Sequence, residues 1–91
     1  QLFLSPNYPN PFNSLTTINF QTPNHSQVIA SIFDVRGQKI CTLINDDIPA
    51  GAYLLTWNGT DNTGKAVGSG VYILEMKCGK LEKTIKLDLL R

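Results

Sequence analysis

The stretch that decides the fold is Val71-Tyr72-Ile73-Leu74-Glu75-Met76-Lys77-Cys78, followed by Gly79-Lys80 and then by residues 81–90. In the first run every second side chain is apolar, namely Tyr72, Leu74 and Met76, and this is the period of a β-strand with one buried face. Gly79-Lys80 is a turn signal. In the second run Ile85, Leu87 and Leu89 alternate with Thr84, Lys86 and Asp88. The stretch therefore predicts two strands joined by a tight turn.

The same alternation recurs towards the amino terminus, with turn residues between the runs. It predicts strands at residues 16–20, 27–35 and 38–44, and a further strand that contains Tyr53, Leu55 and Trp57. Core faces follow from the parity of Ile18 and Phe20, and of Val28, Ala30 and Ile32. Trp57 is the largest apolar side chain and is predicted at the centre of the core. We expect an all-β fold, an antiparallel β-sandwich of six to seven strands without a helix.

Local chemistry predicts two connections between strands and leaves the register of one strand open. Residues 34–37 form a predicted hairpin turn in which Gly37 takes the positive φ that a tight turn requires. Residues 45–51 are polar, end in glycine and are predicted to be a loop. Ile40 and Leu43 have opposite parity in the strand between these two connections, so either one of them is exposed or the strand contains a bulge.

The amino-terminal residues 1–13 are predicted to be an extended leader to a single domain of residues 1–91. Within it, Asn7-Tyr8-Pro9-Asn10-Pro11-Phe12-Asn13 contains two prolines that exclude a helix and favour extended backbone. Tyr8 and Phe12 are expected to pack across the open end of the sandwich. The sequence begins without the basic and apolar residues of an export signal, so we expect a mature protein or a carboxyl-terminal fragment.

The composition excludes several classes of function. Eight Lys and Arg balance seven Asp and Glu among 91 residues, which leaves no basic stripe for a nucleic acid or an acidic membrane. No apolar run approaches the roughly 20 residues that span a bilayer. Cys41 and Cys78 match no zinc spacing, and we predict no metal and no cofactor. We expect both cysteines to be free thiols, although their predicted strands leave a disulfide open.

No group of residues predicts catalysis. His25 is the only histidine and lies in a predicted loop, so no base is placed beside a nucleophile, and we predict that the chain is not an enzyme. Residues 61–64 could suggest a calcium loop, but no late Glu follows and turn chemistry is favoured. The aromatic residues could form a carbohydrate-stacking platform, but core packing is favoured because most of them lie on inward faces. These residues are Tyr8, Tyr53, Trp57 and Tyr72.

Five motifs occur in the order and spacing of a known family. They are Asn-Tyr-Pro-Asn-Pro-Phe-Asn at 7–13, Thr-Thr-Ile-Asn-Phe at 16–20, Phe-Asp-Val-Arg-Gly at 33–37, Trp-Asn-Gly-Thr-Asp-Asn-Thr-Gly at 57–64 and Ser-Gly-Val-Tyr at 69–72. The chain resembles the type A carboxyl-terminal sorting domain of type IX secretion and the immunoglobulin-like domain of flagellar hook-capping proteins. It departs from that pattern at Ser14, Leu15 and Cys41. The signature positions, with structural roles, are Tyr8, Pro9, Asn10, Pro11, Phe12, Asn13, Asp34, Gly37, Trp57, Gly59, Asp61, Gly64, Gly70 and Tyr72.

The resemblance implies a non-catalytic domain that directs a larger bacterial protein through the periplasm and across the outer membrane to the cell surface. Its partners would be the secretion translocon or a sortase-like machinery, with no nucleic acid and no membrane insertion. The outward Lys86 and Arg91 form the candidate recognition end. The alternative is a structural or self-assembling immunoglobulin-like module of an extracellular appendage or filament, which would pair with neighbouring subunits through strand edges.

Overall fold

The computed structural model describes residues 2–91, and Gln1, the first residue of the predicted leader, lies outside them. These residues form seven antiparallel strands and no helix. The strands are β1 (Phe3–Leu4), β2 (Thr16–Thr22), β3 (Ser26–Asp34), β4 (Lys39–Ile48), β5 (Gly51–Trp57), β6 (Gly70–Cys78) and β7 (Leu81–Leu89). One sheet has the order β1-β2-β5 and the other has the order β4-β3-β6-β7. The predicted immunoglobulin-like β-sandwich is confirmed.

The core lies between the two sheets and is built from the residues that the alternation predicts. Ile18 and Phe20 on β2 face the other sheet and are fully buried, as are the inward residues of β3, β6 and β7. Those residues are Val28, Ala30, Ile32, Leu74, Met76 and Leu87. Trp57 is 2% exposed, so its predicted place in the core is confirmed.

Strand β4 contains an irregularity in its register and is longer than predicted. The pairing of β3 with β4 shifts between Ala30 and Ser31 and again between Ile32 and Phe33, so the predicted alternative of a bulge is confirmed. The strand also continues to Ile48, and the prediction that residues 45–51 form a loop is wrong. Asn45, Asp46 and Asp47 pair with β3 while their side chains stay exposed. Polar residues are tolerated there because β4 is an edge strand.

The two predicted turns are confirmed. Gly37 has φ 85°, and the Asp34 carboxylate accepts hydrogen bonds from the main-chain N–H groups of Arg36 and Gln38, both at 2.9 Å. Gly79 has φ 60° and, with Lys80, joins β6 to β7. A β-carbon is strained at such φ values, which explains glycine at both positions.

Cys41 and Cys78 are buried and free, as expected. Cys41 pairs with Ile32 and Cys78 pairs with Val28, so β3 lies between the two cysteines. Burial raises the pKa of the Cys41 thiol, which keeps this group protonated and poorly reactive. Within residues 2–91 the structure offers no helix that is long and apolar enough to cross a membrane.

Candidate functional site at the closing strand

The amino-terminal leader crosses from one sheet to the other and joins the end of β7. Tyr8 exchanges two main-chain hydrogen bonds with Thr17 on β2, each 2.9 Å long. Four residues later, Phe12 pairs with Leu89 in the parallel direction. The Phe12 N–H donates to the Asp88 carbonyl at 2.9 Å, and the Leu90 N–H donates to the Phe12 carbonyl at 2.8 Å. The leader therefore ties the closing strand to the three-stranded sheet.

The prediction that both leader aromatics pack on the sandwich is right for Phe12 and wrong for Tyr8. Phe12 is 2% exposed, whereas Tyr8 is 80% exposed. Tyr8 lies opposite Thr17, whose neighbours Thr16 and Ile18 are buried. Because side chains alternate along a strand and opposed residues share a face, Tyr8 must point to the outer face with Thr17.

The leader bends at residues 9–11 and is not extended throughout, and two of its three X-Pro bonds, Tyr8-Pro9 and Asn10-Pro11, are cis. The buried Asn7 amide donates to the Thr16 hydroxyl at 3.0 Å, and that hydroxyl donates to the Pro9 carbonyl at 2.9 Å. On the other side of the bend, the Asn10 side-chain oxygen accepts a hydrogen bond from the Asp88 N–H at 3.0 Å. Side chains of both asparagines therefore fix the bend, which sequence reasoning missed because their partners are distant in sequence.

Three aromatic signature residues meet beneath the leader. The ring centroid of Trp57 lies 5.6 Å from that of Phe12 and 5.1 Å from that of Tyr72. The indole N–H donates to the Thr60 carbonyl at 3.0 Å, and the Tyr72 hydroxyl donates to the Gly68 carbonyl at 2.6 Å. Burial, with a smaller effect from Asp34, raises the pKa of Tyr72. These rings pack the core, as predicted, and are not a stacking platform.

Arg91 is bound to the loop that follows β5. Its Nη2 donates to the Gly59 carbonyl at 2.6 Å, its Nε donates to the Val67 carbonyl at 2.7 Å, and its main-chain N–H donates to the Ser69 hydroxyl at 2.9 Å. Gly59 has φ 73°, and a β-carbon there would lie 2.5 Å from Nη2. The glycine therefore provides both the backbone conformation and the space for the guanidinium. Arg91 is exposed but anchored by these bonds, and Lys86 is exposed on β7.

The loop between β5 and β6 has the predicted turn chemistry. Asp61 Oδ1 accepts hydrogen bonds from the Thr63 hydroxyl at 2.7 Å, the Thr63 N–H at 2.9 Å and the Lys65 N–H at 3.0 Å. These bonds, that of the Thr63 hydroxyl foremost, lower the pKa of Asp61. Asn62 then bonds the edge of β4, donating to the Ile40 carbonyl at 3.3 Å and accepting from the Thr42 N–H at 3.1 Å. No group of three or more potential metal ligands occurs within residues 2–91.

The structure thus gathers some signature residues and leaves others as turns. The leader, the aromatic cluster and Gly59 converge on the end of β7, although 78 residues separate Asn10 from Asp88. Pro9, Pro11 and Asn13 lie exposed around the bend of the leader. Asp34 and Gly37 form the turn before β4, Asp61 and Gly64 form the turn before β6, and Gly70 begins β6. Five of the fourteen signature residues therefore lie around the end of the closing strand, namely Asn10, Phe12, Trp57, Gly59 and Tyr72.

Replacing Arg91 with alanine is expected to lower the free energy of unfolding by about 1 to 2 kcal/mol, because the charged donor serves two main-chain carbonyls. Lys86→Ala is the matched control and should change stability by less than about 0.5 kcal/mol, as exposed positions usually do. Urea unfolding followed by Trp57 fluorescence measures both variants. Equal effects from the two substitutions would show that the Arg91 contacts contribute nothing to stability.

Acidification should weaken the fold through Asp34 and Asp61, whose pKa values lie below the ordinary 3.8. A group whose pKa is lowered by folding stabilises the protein above its unfolded pKa, and this contribution is lost as the pH falls through the folded value. The free energy of unfolding should therefore decrease below pH 3.8. Asp61→Asn keeps an acceptor oxygen but cannot titrate, so its stability should approach that of the wild type at about pH 2. A difference in the free energy of unfolding between the two proteins that stays constant as the pH falls would contradict the lowered pKa of Asp61.

Two solved structures show the same fold over 99% of this chain. One is the dimeric latent PorU from Porphyromonas gingivalis, with a TM-score of 0.74 and 16% sequence identity. The match covers 9% of the PorU chain. The other is PorZ from the same organism, an essential bacterial surface component of its type-IX secretion system. Its TM-score is 0.61 and its sequence identity is 23%, and the match covers 11% of the PorZ chain. The chain thus spans about a tenth of each protein. No curated protein matches the sequence. Residues 9–80, well over half of the chain, match the model of the FlgD Ig-like domain, and the chain belongs to that family.

Proposed function

We propose that the chain is a non-catalytic sorting domain that directs a larger protein across the bacterial outer membrane to the cell surface. The observation that carries this proposal is the likeness over 99% of the chain to a part of PorZ, a surface component of the type-IX secretion system. The match covers only 11% of PorZ, which suits a module attached to something larger. On this proposal residues 1–91 act as one folded unit.

The part of the domain that the machinery reads is the closing strand. Strand β7 lies at the edge of its sheet and exposes Lys86, while Arg91 is held against the loop after β5. The leader, the aromatic cluster and Gly59 fix the end of this strand, so a receptor would meet a preformed surface. The partners are the translocon or a sortase-like machinery, and the route passes through the periplasm.

Two observations support a role without acid–base or nucleophilic chemistry. His25 lies 3.5 Å from the exposed carboxylate of Asp47, with no nucleophile in that pair. Asp34 and Asp61 use their carboxylates to close turns. Neither arrangement presents a base to a reactive group, which catalysis by acid–base or nucleophilic routes requires. The balanced charge likewise favours neither a nucleic acid nor a membrane as partner.

Export of a fused reporter tests the proposal. Residues 2–91, joined to the carboxyl end of an inert periplasmic protein, should carry it to the surface of a bacterium with the type IX pathway. The fusion should begin no later than Leu2, because this side chain is buried and Phe3 pairs with β2. Protease accessibility of the reporter on intact cells measures delivery. A reporter that stays in the periplasm while the domain is folded would refute the proposal.

Deletion of residues 83–91 should abolish delivery, but it also removes Leu87 and Leu89 from the core. Lys86→Ala separates recognition from folding, because this exposed residue contributes little to stability. Export lost with Lys86→Ala in a protein of unchanged thermal stability would place recognition on β7. Export retained by Lys86→Ala and by Arg91→Ala would exclude both residues as the signal.

The second candidate function is a structural or self-assembling module of an extracellular appendage. The observation that favours it is the edge of β7, which is long enough to pair with a different strand edge of a neighbouring subunit. The two candidates differ in what the isolated domain does. A module of a filament forms open-ended polymers, whereas a sorting domain without its machinery does not.

A further inference from the structure

Strand β7 has one edge that the rest of the fold leaves largely unpaired. Its other edge pairs with β6 along the whole strand, from Leu81 opposite Cys78 to Leu89 opposite Gly70. On the outer edge, the leader bonds only at Asp88 and Leu90. Among the described residues, no further main-chain group outside β6 bonds residues 82–86. Glu82, Lys83, Thr84 and Lys86 are exposed along this segment.

The leader reveals which main-chain groups of β7 point outwards. Both the N–H and the carbonyl of Asp88 are directed at the leader, to Asn10 and Phe12 respectively. Because main-chain groups alternate between the two edges of a strand, those of Glu82, Thr84 and Lys86 also point outwards. The leader therefore shows that this edge accepts a strand, and it also ends the free segment at Asp88.

We propose that this edge binds the same edge of a second copy of the chain, in the antiparallel direction, about a two-fold axis at Thr84. In this register Thr84 lies opposite Thr84 of the second copy, and Glu82 lies opposite Lys86. The outward main-chain groups of these residues then form about six inter-chain hydrogen bonds. The two four-stranded sheets become one continuous sheet, and the pairing closes because each edge is used once.

Charge selects this register over its neighbours. The side chains of Glu82, Thr84 and Lys86 share the outer face, since Ile85 and Leu87 point to the core. Opposed residues across an antiparallel pair interact directly, so the dimer gains two Glu–Lys pairs and one Thr–Thr pair. A two-fold axis at Lys83 would place Lys83 opposite Lys83 of the second copy. An axis at Ile85 would bring Glu82 to the position opposite Asp88, where the leader already lies.

The segment is short, which sets the expected strength. Pairing over residues 82–86 buries much less than the roughly 1,200 Å² found in stable complexes. We therefore expect a reversible dimer whose Kd lies between about 10 µM and 1 mM. Lysines on an edge strand ordinarily discourage pairing, but here Lys86 meets Glu82 and Lys83 meets the half-buried Ile85. The edge thus excludes other registers while it permits this one.

Charge reversal tests the register directly. Lys86→Glu and Glu82→Lys each create two like-charge pairs in the homodimer, so each should weaken association about tenfold or more. An equimolar mixture of the two variants restores both attractive pairs, and it should associate about as well as the wild type. Lys83→Glu makes the same change of charge one position away and should alter the Kd by no more than about twofold. Sedimentation equilibrium on the 91-residue chain measures the association of the three variants and of the mixture, after thermal unfolding has shown that each variant is folded.

Residue-level protection locates the contact. On raising the protein concentration, the amide N–H groups of Glu82, Thr84 and Lys86 should gain protection from hydrogen exchange, while those of Lys83 and Ile85, which already bond β6, should not change. A chain that stays monomeric at about 1 mM would overturn the proposal. So would a dimer that Lys86→Glu leaves intact, a larger effect from Lys83→Glu, or a mixture of the two variants that fails to associate.

Discussion

Replacing Trp57 with alanine is expected to lower the free energy of unfolding by about 3 to 5 kcal/mol. The side chain is 2% exposed and lies between the rings of Phe12 and Tyr72. Its removal leaves a cavity and also deprives the Thr60 carbonyl of its indole donor. A small domain has about 5 to 15 kcal/mol in total, so this single change uses much of its stability. Chemical denaturation followed by far-ultraviolet circular dichroism measures the loss without relying on the indole.

Leu54→Ala provides the matched control on the same strand. Leu54 is 66% exposed on the outer face of β5, so its truncation should change stability by less than about 0.5 kcal/mol. Trp57→Phe should fall between the two, because it keeps an aromatic ring but loses volume and the hydrogen-bond donor. A denaturation midpoint for Trp57→Ala that equals the wild-type value would contradict the packing described for this residue.

Replacing Phe12 with alanine is expected to cost about 3 kcal/mol or more and to loosen the leader, whereas Tyr8→Ala should be nearly neutral. The two residues have the same kind of ring and lie in one short segment, but Phe12 is 2% exposed and Tyr8 is 80% exposed. Without the Phe12 ring, the leader keeps only main-chain and asparagine contacts to the end of β7. The Leu90 and Phe12 amides should then exchange faster with solvent.

Limited proteolysis under native conditions gives a second measure of the same pair. Phe12→Ala should become sensitive to cleavage within residues 5–13, and Tyr8→Ala should resist as the wild type does. Equal sensitivity of the two variants would mean that the Phe12 ring does not hold the leader. Stability lost equally in both variants would mean that the Tyr8 ring packs on the sandwich as the Phe12 ring does.

The position of the closing strand links these stability effects to the proposed role. Phe12, Trp57 and Tyr72 pack beneath the end of β7, and Gly59 accommodates the guanidinium of Arg91. A substitution in this group can therefore abolish export simply by releasing β7. Only exposed residues such as Lys86 report on recognition itself, because their replacement leaves the strand in place.

The sequence by itself determined six of the seven strands, all except β1, together with their core faces and the tight turns. Alternation along residues 71–78 and 81–90 needs only neighbouring residues to be read, and glycine at positions 37 and 79 meets a local demand for positive φ. The burial of Trp57 and the turn chemistry of Asp61 were predictable for the same reason. The bulge between β3 and β4 was predicted only as one of two alternatives, since the parity of Ile40 and Leu43 does not distinguish a bulge from the exposure of one residue.

Only the tertiary structure decided the path of the leader, the exposure of Tyr8, the length of β4 and the anchoring of Arg91. Each depends on a partner far away in sequence. Asn10 bonds Asp88 across 78 residues, and Arg91 reaches Gly59 across 32 residues. Residues 45–47 are polar and read locally as a loop, yet pairing with β3 holds them in a strand. Local patterns encode dihedral preference and the burial of a face, whereas these contacts arise only when packing brings distant main-chain groups together.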